Sequence, residues 1–243
     1  MVSIHSTTAH RRHRSHRARV TSSAAGIIER NLSAVRTTIA QACDRAGRTP
    51  RDVTLVAVTK SVGPEEVQIL YNLGIRHFGE SRVHEAEPKL SLLGDDVVWH
   101  MVGHVQRRKA GAVVDQFDRI DSLDRIELAQ TIDRKAGETP KIVPVLVEVN
   151  VSGEANKDGF SPDRTAEAVA TLNEMEHIDI QGLMTMAPRV QDPESVRVHF
   201  ARLRRLSIDL ALPELSMGMS EDYAVAIEEG ATQVRIGRAL FRE

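Results

Sequence analysis

Apolar residues along this chain follow two alternating patterns: short continuous runs, and longer stretches in which they recur every three or four positions. Short runs are typical of strands buried in a sheet, and the longer spacing is typical of one face of a helix. Most of the runs are followed by a stretch with helical spacing, as at 64–73, 126–136 and 162–175. We predict eight strands, over residues 54–58, 75–79, 97–102, 117–120 or slightly beyond, 142–149, 180–184, 214–216 and 233–236.

Eight strand–helix units in succession favour the α/β class and, within it, a closed (β/α)8 barrel of the TIM type. An open doubly wound sheet is the alternative. Such a sheet normally carries a glycine-rich loop after its first strand, and Lys-Ser-Val-Gly at 60–63 is not one. Before the first strand, helical spacing over 24–46 predicts an extra amino-terminal helix, which Gly47 is placed to end. In a barrel, functional residues should lie at the carboxyl ends of the strands.

The first residues of the chain differ in composition from the rest. Of the 243 residues, 41% are hydrophobic and 27% are charged, which is ordinary for a globular protein. The first 19 residues hold five arginines, however, and no acidic residue precedes Glu29. We predict a disordered basic tail over 1–23 and a single barrel domain over 24–243. A transit peptide and a nucleic-acid tail are the alternatives for the tail.

Composition also limits the partners and the compartment. Cys43 is the only cysteine, so no internal disulfide can form and a reducing compartment, the cytoplasm, is expected. No apolar run is long enough to cross a bilayer, and we predict no membrane partner. The net charge of −2 and the 3% of aromatic residues argue against a nucleic-acid partner. The histidines of the tail offer no rigid ligand geometry, so no metal centre is predicted.

Lys60 is the first candidate for chemistry, because it ends the apolar strand 54–58. A buried lysine is costly unless it has a partner, whereas a neutral amine that condenses with a carbonyl avoids that cost. We therefore predict that Lys60 carries an aldehyde ligand as a Schiff base. The alternative is a strand-end lysine whose amine reaches solvent.

The loops after the seventh and eighth strands have the features of a phosphate site. Gly218 and Gly237 allow close approach of the backbone, Ser220 is placed to cap the next helix, and Arg235 can add positive charge. Barrels commonly bind phosphate with these two loops. The alternatives are a plain capping turn at 216–220 and a salt bridge of Arg235. Since strands one and eight are neighbours in a closed barrel, one ligand should carry both an aldehyde and a phosphate, as pyridoxal 5′-phosphate (PLP) does.

The motifs resemble those of the YggS/PROSC family, the pyridoxal phosphate homeostasis proteins, from about Ile27 to Phe241. The matching stretches are Leu-Val-Ala-Val-Thr-Lys60, Phe78-Gly-Glu-Ser-Arg-Val83, Trp99-His-Met-Val-Gly-His-Val-Gln106, Asp121-Ser-Leu-Asp124, Val149-Asn-Val-Ser-Gly-Glu154, Lys157-Asp-Gly159, Gly182-Leu-Met-Thr-Met186, Leu215-Ser-Met-Gly-Met-Ser220 and Val234-Arg-Ile-Gly237. The resemblance implies a barrel like the amino-terminal domain of alanine racemase. It also implies a PLP-binding protein that keeps the cofactor available, with PLP-requiring apoenzymes as possible recipients.

The cofactor contacts that we predict lie at the ends of the strands. They are Lys60, Ser81, Asn150, Met184, Ser216, Gly218, Met219, Ser220, Arg235 and Gly237. Ser81 stands where the family usually has asparagine, and Val105-Gln-Arg-Arg-Lys109 replaces a less basic family pattern. If the Ser81 side chain contacts the cofactor, it is a shorter and weaker substitute.

The family is not credited with a clear catalytic activity, and we predict none. One alternative is a PLP-dependent amino-acid enzyme of weak racemase type, and another is a phosphosugar aldolase or isomerase that uses Lys60. The racemase reaction resembles a two-base process with a tyrosine from a carboxyl-terminal β domain, which we do not expect here. Tyr71 and Tyr223 are both expected to pack against helices. His104 is the remaining acid/base candidate, with a structural histidine as its alternative.

Overall fold

Eight parallel strands close into one barrel, in sequence order, and β8 pairs with β1. The structure is a computed structural model that describes residues 8–242, with side chains from Ala24 onwards. The strands are β1 (Thr54–Val58), β2 (His77–Glu80), β3 (Val98–Met101), β4 (Arg119–Leu123), β5 (Val143–Glu148), β6 (Ile178–Met184), β7 (Glu214–Ser216) and β8 (Gln233–Ile236). The predicted (β/α)8 barrel is confirmed, and the open doubly wound sheet is excluded.

Helices surround the barrel. They are α1 (Thr8–Arg45), α2 (Pro64–Asn72), α3 (Val83–Leu90), α4 (Ala110–Gln116), α5 (Ile126–Gly137), α6 (Pro162–Leu172), α7 (Arg197–Asp209), α8 (Tyr223–Glu228) and α9 (Arg238–Phe241). Two of them begin with proline, whose fixed φ suits the first helical turn, at Pro64 and Pro162. None of the described helices combines the length and the hydropathy that a bilayer crossing requires.

The amino-terminal helix packs where the sequence predicts. Its apolar stripe, which includes Ile28, Leu32, Val35 and Ile39, is buried against the barrel's outer layer. Asn31 Nδ2 donates to the Leu240 carbonyl at 3.2 Å, which ties α1 to α9. The backbone of α1 is helical from Thr8, upstream of the predicted start. The tail predicted over 1–23 lies partly outside the described residues, and its disorder stays a prediction.

Side chains alternate along each strand between two buried regions, the core between strands and helices and the lumen of the barrel. In β5, Val143, Val145 and Val147 belong to the core between the strands and the helices. Successive side chains of a strand point to opposite faces, so Leu146 and Glu148 face the barrel lumen. The same alternation directs Arg235 of β8 inward, between the outward Val234 and Ile236.

The amino-terminal half of the lumen is filled by a polar chain rather than by hydrocarbon. His77 Nδ1 lies 3.0 Å from His100 Nε2, and His100 Nδ1 lies 2.8 Å from Asp121 Oδ2. Arg119 then donates to Asp121 Oδ1 at 2.8 Å and to Glu214 Oε2 at 2.7 Å. Burial lowers the pKa of His77 to about 4. Burial alone would raise the pKa of Asp121, but His100 and Arg119 lower it to about 2.

Strand boundaries deviate from the predictions where polar residues are buried. The fourth strand, predicted over 117–120 or slightly beyond, runs from Arg119 to Leu123, because Asp121 and Ser122 are fully buried and paired. The second strand was predicted over 75–79 but runs from His77 to Glu80 for the same reason. Apolar runs therefore located these strands without marking their ends.

Candidate functional site

Lys60 stands just past the end of β1, on the carboxyl-terminal face of the barrel. Its side chain is exposed, and its amine makes no hydrogen bond or ion pair with the described part of the chain. The expectation of a buried, costly amine is therefore wrong. An unpaired amine at the mouth of a barrel is nonetheless open to an electrophile.

A buried ion pair supports the segment that carries Lys60. Thr59, the preceding residue, is buried and its Oγ1 donates to Glu80 Oε1 at 2.6 Å. Lys89 Nζ from α3 donates to Glu80 Oε1 at 2.8 Å and to the Thr59 carbonyl at 2.7 Å. Burial raises the pKa of Glu80. The backbone next to Lys60 is therefore held in place by contacts among β1, β2 and α3.

The loop after β7 adopts a conformation that requires glycine. Gly218 has φ of 91°, and a Cβ at this position would lie 2.6 Å from the Ala226 Cβ and 2.8 Å from the Tyr223 Cα. Its carbonyl accepts from the Arg235 N–H at 3.0 Å, which joins the loop to β8. The Met219 N–H is satisfied by Asp222 Oδ1 at 2.6 Å. The loop is therefore held in one conformation.

Some backbone donors in the loops after β7 and β8 have no partner among the described residues. The N–H groups of Ser220, Glu221 and Gly237 donate to no acceptor within the part of the chain that the structure describes. The predicted cap at Ser220 is wrong, because Asp222 precedes α8 as its N-cap residue. Ser220 Oγ instead accepts from the Ala239 N–H at 3.2 Å and so links the loop after β7 to the first turn of α9. Unpaired amides grouped in this way suit an anion.

Arg235 lies inside the barrel, beneath these loops. Its exposed fraction is 4%, and its guanidinium donates to Ser216 Oγ at 2.7 Å and to the Thr185 carbonyl at 2.8 Å. Burial lowers the pKa of Arg235, while the carboxylates of Asp121 and Glu148 act in the opposite direction. The alternative of a salt bridge is not found among the described residues, since both acceptors of the guanidinium are neutral oxygens. A fixed positive charge therefore underlies the pocket.

The loops at the seam of the barrel are neighbours, as the closed topology predicts. Ala57 of β1 pairs with Ile236 of β8. A Cβ added to Gly237 would lie 3.2 Å from the Val58 carbonyl oxygen. Lys60 follows Val58 by two residues, so the amine and the unpaired amides open onto the same end of the barrel.

His104 is held by two carboxylates at the opposite side of the mouth. Its Nδ1 lies 2.8 Å from Asp124 Oδ2 and 3.2 Å from Asp158 Oδ2, and its ring is exposed. Burial raises the pKa of Asp124. His104 and Ser81 both line a cavity of about 450 Å³ that extends toward Lys109 and is not lined by Lys60.

The remaining predicted residues have varied surroundings. The Asn150 side chain closes its own loop, because it donates to the Glu154 carbonyl at 2.9 Å and accepts from the Gly153 N–H at 3.0 Å. Met184 is fully buried at the end of β6. Tyr71 is remote from the mouth and donates to Asp96 Oδ1 at 2.9 Å.

Glu148 is a residue of the mouth that sequence reasoning missed. It ends β5, its exposed fraction is 3%, and no partner is found for its carboxyl among the described residues. Burial raises its pKa to about 7, with Asp124 adding to the shift and Arg235 opposing it. The signal in the sequence was a single glutamate within the apolar run 142–149.

Comparison with known proteins adds independent findings. The chain matches the family described as the alanine racemase amino-terminal domain over residues 30–243. It is 42% identical over 219 residues to the pyridoxal phosphate homeostasis protein of Aquifex aeolicus, covering 87% of this chain and 96% of that protein. It is 38% identical to the protein of the same name from Pseudomonas aeruginosa, covering 88% and 94% of the two chains.

Solved structures show the same relationship. PipY of Synechococcus elongatus PCC7942, solved with PLP bound, superposes with a TM-score of 0.77 at 33% identity, covering 88% of this chain and all 100% of that one. Alanine racemase of Clostridium difficile 630 superposes with a TM-score of 0.68 at 17% identity, covering 79% of this chain and 55% of the racemase. The second likeness concerns the fold alone.

Proposed function

Because this chain belongs to the family of pyridoxal phosphate homeostasis proteins, we propose that it binds PLP and helps to keep that cofactor available in the cell. The observation that carries the proposal is the juxtaposition of an unpaired amine with unpaired backbone amides at the seam of the barrel. Lys60 provides the amine, and the loops after β7 and β8 provide the amides. PLP supplies an aldehyde for the first and a phosphate for the second.

Lys60 would hold the ligand covalently. Its amine would condense with the aldehyde of the ligand, and the carbonyl oxygen would be lost as water. The exposure of the side chain favours this step, because the amine is reached without any rearrangement of the core. Thr59 and Lys89 would keep the attacking segment in place through the carbonyl contact of 2.7 Å.

The phosphate would lie against Ser220, Glu221 and Gly237, whose N–H groups are free to donate. Gly218 allows the loop to turn without a side chain in the way, and the Arg235 guanidinium adds positive charge below. Directed amide donors and a buried cation are a common solution for a phosphate dianion. The described residues therefore fit the cofactor at both of its ends.

Holding the cofactor, rather than using it, is the role that we favour. When bound, PLP supplies an electron sink for amino-acid chemistry. A racemase of weak activity is the alternative, and His104, held between Asp124 and Asp158, is the acid/base group that it would use. We further propose that the recipients are PLP-requiring apoenzymes in the cytoplasm.

Absorbance spectroscopy tests the proposal. Purified protein given PLP should show the imine band, and borohydride reduction should fix one cofactor to the peptide that contains Lys60. Lys60→Ala should lose both signals. Lys157→Ala is the matched control, because Lys157 also lies at the mouth but is paired with Glu154 and Ser152. A wild-type protein that stays colourless after PLP is added would refute the proposal.

Racemisation assays separate the alternatives. Turnover of alanine or other amino acids above the rate of free PLP, lost in His104→Ala, would support the enzyme. Absence of turnover, combined with transfer of PLP to an apoenzyme faster than from solution, would support the homeostasis role.

A further inference from the structure

Glu148 occupies a lumen position directly across the barrel from Lys60. In a closed ring of eight strands, β5 is four strands from β1 in either direction. Lys60 follows the carboxyl end of β1, and Glu148 is the last residue of β5. Glu148 is in register with Met184, and Met184 with Ser216, which places these three side by side at the upper end of the lumen. A ligand held at Lys60 and at the loops after β7 and β8 therefore has Glu148 on its far side.

The carboxyl of Glu148 lacks the partner that a buried acid normally has. Its exposed fraction is 3%, yet it makes no hydrogen bond or ion pair with the residues that the structure describes. Its oxygens are not among the fully enclosed unpartnered atoms of the described residues, so the carboxyl reaches the open space at the mouth, where a ligand can supply the missing partner. The adjacent strand residue, Met184, is apolar and offers no donor.

The charges around Glu148 are mixed. Arg235 of β8 favours the ionised form, whereas Asp124 after β4 and Asp158 in the loop after β5 disfavour it. The adjacent strand β6 contributes Met184, and β7 beyond it contributes Ser216; both side chains are uncharged. Together with burial, this balance brings the pKa of Glu148 to about 7. Both protonation states are thus accessible near neutral pH.

We propose that Glu148 is a ligand-facing acid that completes the PLP pocket opposite Lys60, neutral when the cofactor is held and ionised when it is released. This inference rests on the proposed function. The neutral carboxyl can donate a hydrogen bond to an oxygen or nitrogen of the ligand. The ionised carboxylate repels the phosphate dianion, so PLP binding weakens as the pH rises through the pKa of Glu148.

By thermodynamic linkage, binding of PLP must also change the ionisation of Glu148. Since an anion nearby disfavours ionisation, bound PLP raises the pKa of Glu148, and binding near and above neutral pH draws a proton into the protein. If the coupling amounts to one pKa unit, affinity changes by about tenfold across the transition.

The affinity for PLP should be measured by spectrophotometric titration of the full chain from about pH 6 to about pH 8.5, a range that spans this transition. The wild type should weaken with rising pH by about tenfold more than Glu148→Gln, which keeps the size and stays neutral. Glu174→Gln, at an exposed glutamate between α6 and β6, is the matched control and should follow the wild type. Identical pH profiles for the wild type and Glu148→Gln would overturn the inference.

If Glu148→Gln does not fold, the inference can still be tested by NMR on the wild type alone. With ¹³C-labelled glutamate carboxyls, one resonance should titrate near neutral pH in the free protein and at higher pH once PLP is added. A glutamate that titrates near neutrality but is unmoved by PLP would overturn the inference without touching the proposed function. Failure of the wild type to bind PLP at any pH would refute the proposed function instead.

Discussion

The buried ion pair between Lys89 and Glu80 offers a quantitative test of how the Lys60 segment is supported. The side chains are 4% and 0% exposed, and the ammonium–carboxylate distance is 2.8 Å. Replacement of Lys89 by methionine keeps the aliphatic stem but leaves Glu80 Oε1 with only the Thr59 hydroxyl. Glu80 Oε2 already has no partner.

The expected cost follows from the burial of the pair. Removal of one partner of a buried ion pair costs about 3–5 kcal/mol, because a charge is left without compensation. For a domain of this size, about 2–4 °C of melting temperature is lost per kcal/mol, so the midpoint should fall by about 6–20 °C. The double variant Glu80→Met/Lys89→Met should recover most of this, since apolar replacement of a whole pair is often nearly neutral.

The free energy of unfolding should be measured in urea for the wild type, Glu80→Met, Lys89→Met and the double variant, which together form a double-mutant cycle. The pKa of Glu80 is raised by burial, and loss of Lys89 raises it further. A raised carboxyl pKa disfavours folding increasingly as pH rises above the unfolded value, so the deficit of Lys89→Met should shrink toward about pH 4–5. Lys135→Met, which breaks an exposed pair with Glu138, is the control and should cost less than about 1 kcal/mol. A cost below about 1 kcal/mol for Lys89→Met, or one independent of pH, would refute the reasoning.

Four further outcomes are expected. Gly218→Ala should destabilise more than Gly153→Ala in urea unfolding, because both have positive φ but only the first methyl would collide with neighbours; equal costs would contradict the clash. Ser81→Asn, which installs the family's usual side chain, should tighten PLP binding by about threefold to tenfold in a spectrophotometric titration, and unchanged affinity would place this side chain outside the pocket. Asp121→Asn should lower stability near neutral pH, since a carboxylate with a pKa of about 2 stabilises above its unfolded value of about 3.9 and loses this as pH falls. His77→Gln should lose less stability than the wild type as pH falls from about 6.5 to about 4, followed by circular dichroism, because the wild-type histidine is buried with its pKa lowered to about 4.

The fold was predictable because its strongest signals are local. Runs such as 54–58 and 142–149 are apolar enough to mark strands, and β1 and β7 have their predicted bounds. Proline at Pro64 and Pro162 marks helix starts that the structure confirms. The extension of β4 through Asp121 and the end of β2 at Glu80 were not marked locally, because burial of a polar group depends on partners that are distant in sequence, such as His100 and Lys89.

The candidate site was predictable in part for the same reason. The glycines in the loops after β7 and β8 indicate turns from the sequence alone. Gly218 has the positive φ that only glycine adopts without strain. Glu148 carries no such mark, because its significance comes from lying inside a closed barrel opposite Lys60. The exposure of Lys60 also depends on tertiary structure, since the apolar run before it indicated a buried amine.

The pairing of β1 with β8 imposes an order of events on synthesis of the chain. Lys60 leaves the ribosome early, but the strand that completes the barrel beside it follows the other seven. Until β8 has emerged and paired, Gly237 has no Val58 carbonyl to lie against and the amide donors are not assembled. Under the proposed function, a nascent chain therefore carries Lys60 before the amide donors are in place, and retention of PLP would begin only after translation has passed the eighth strand.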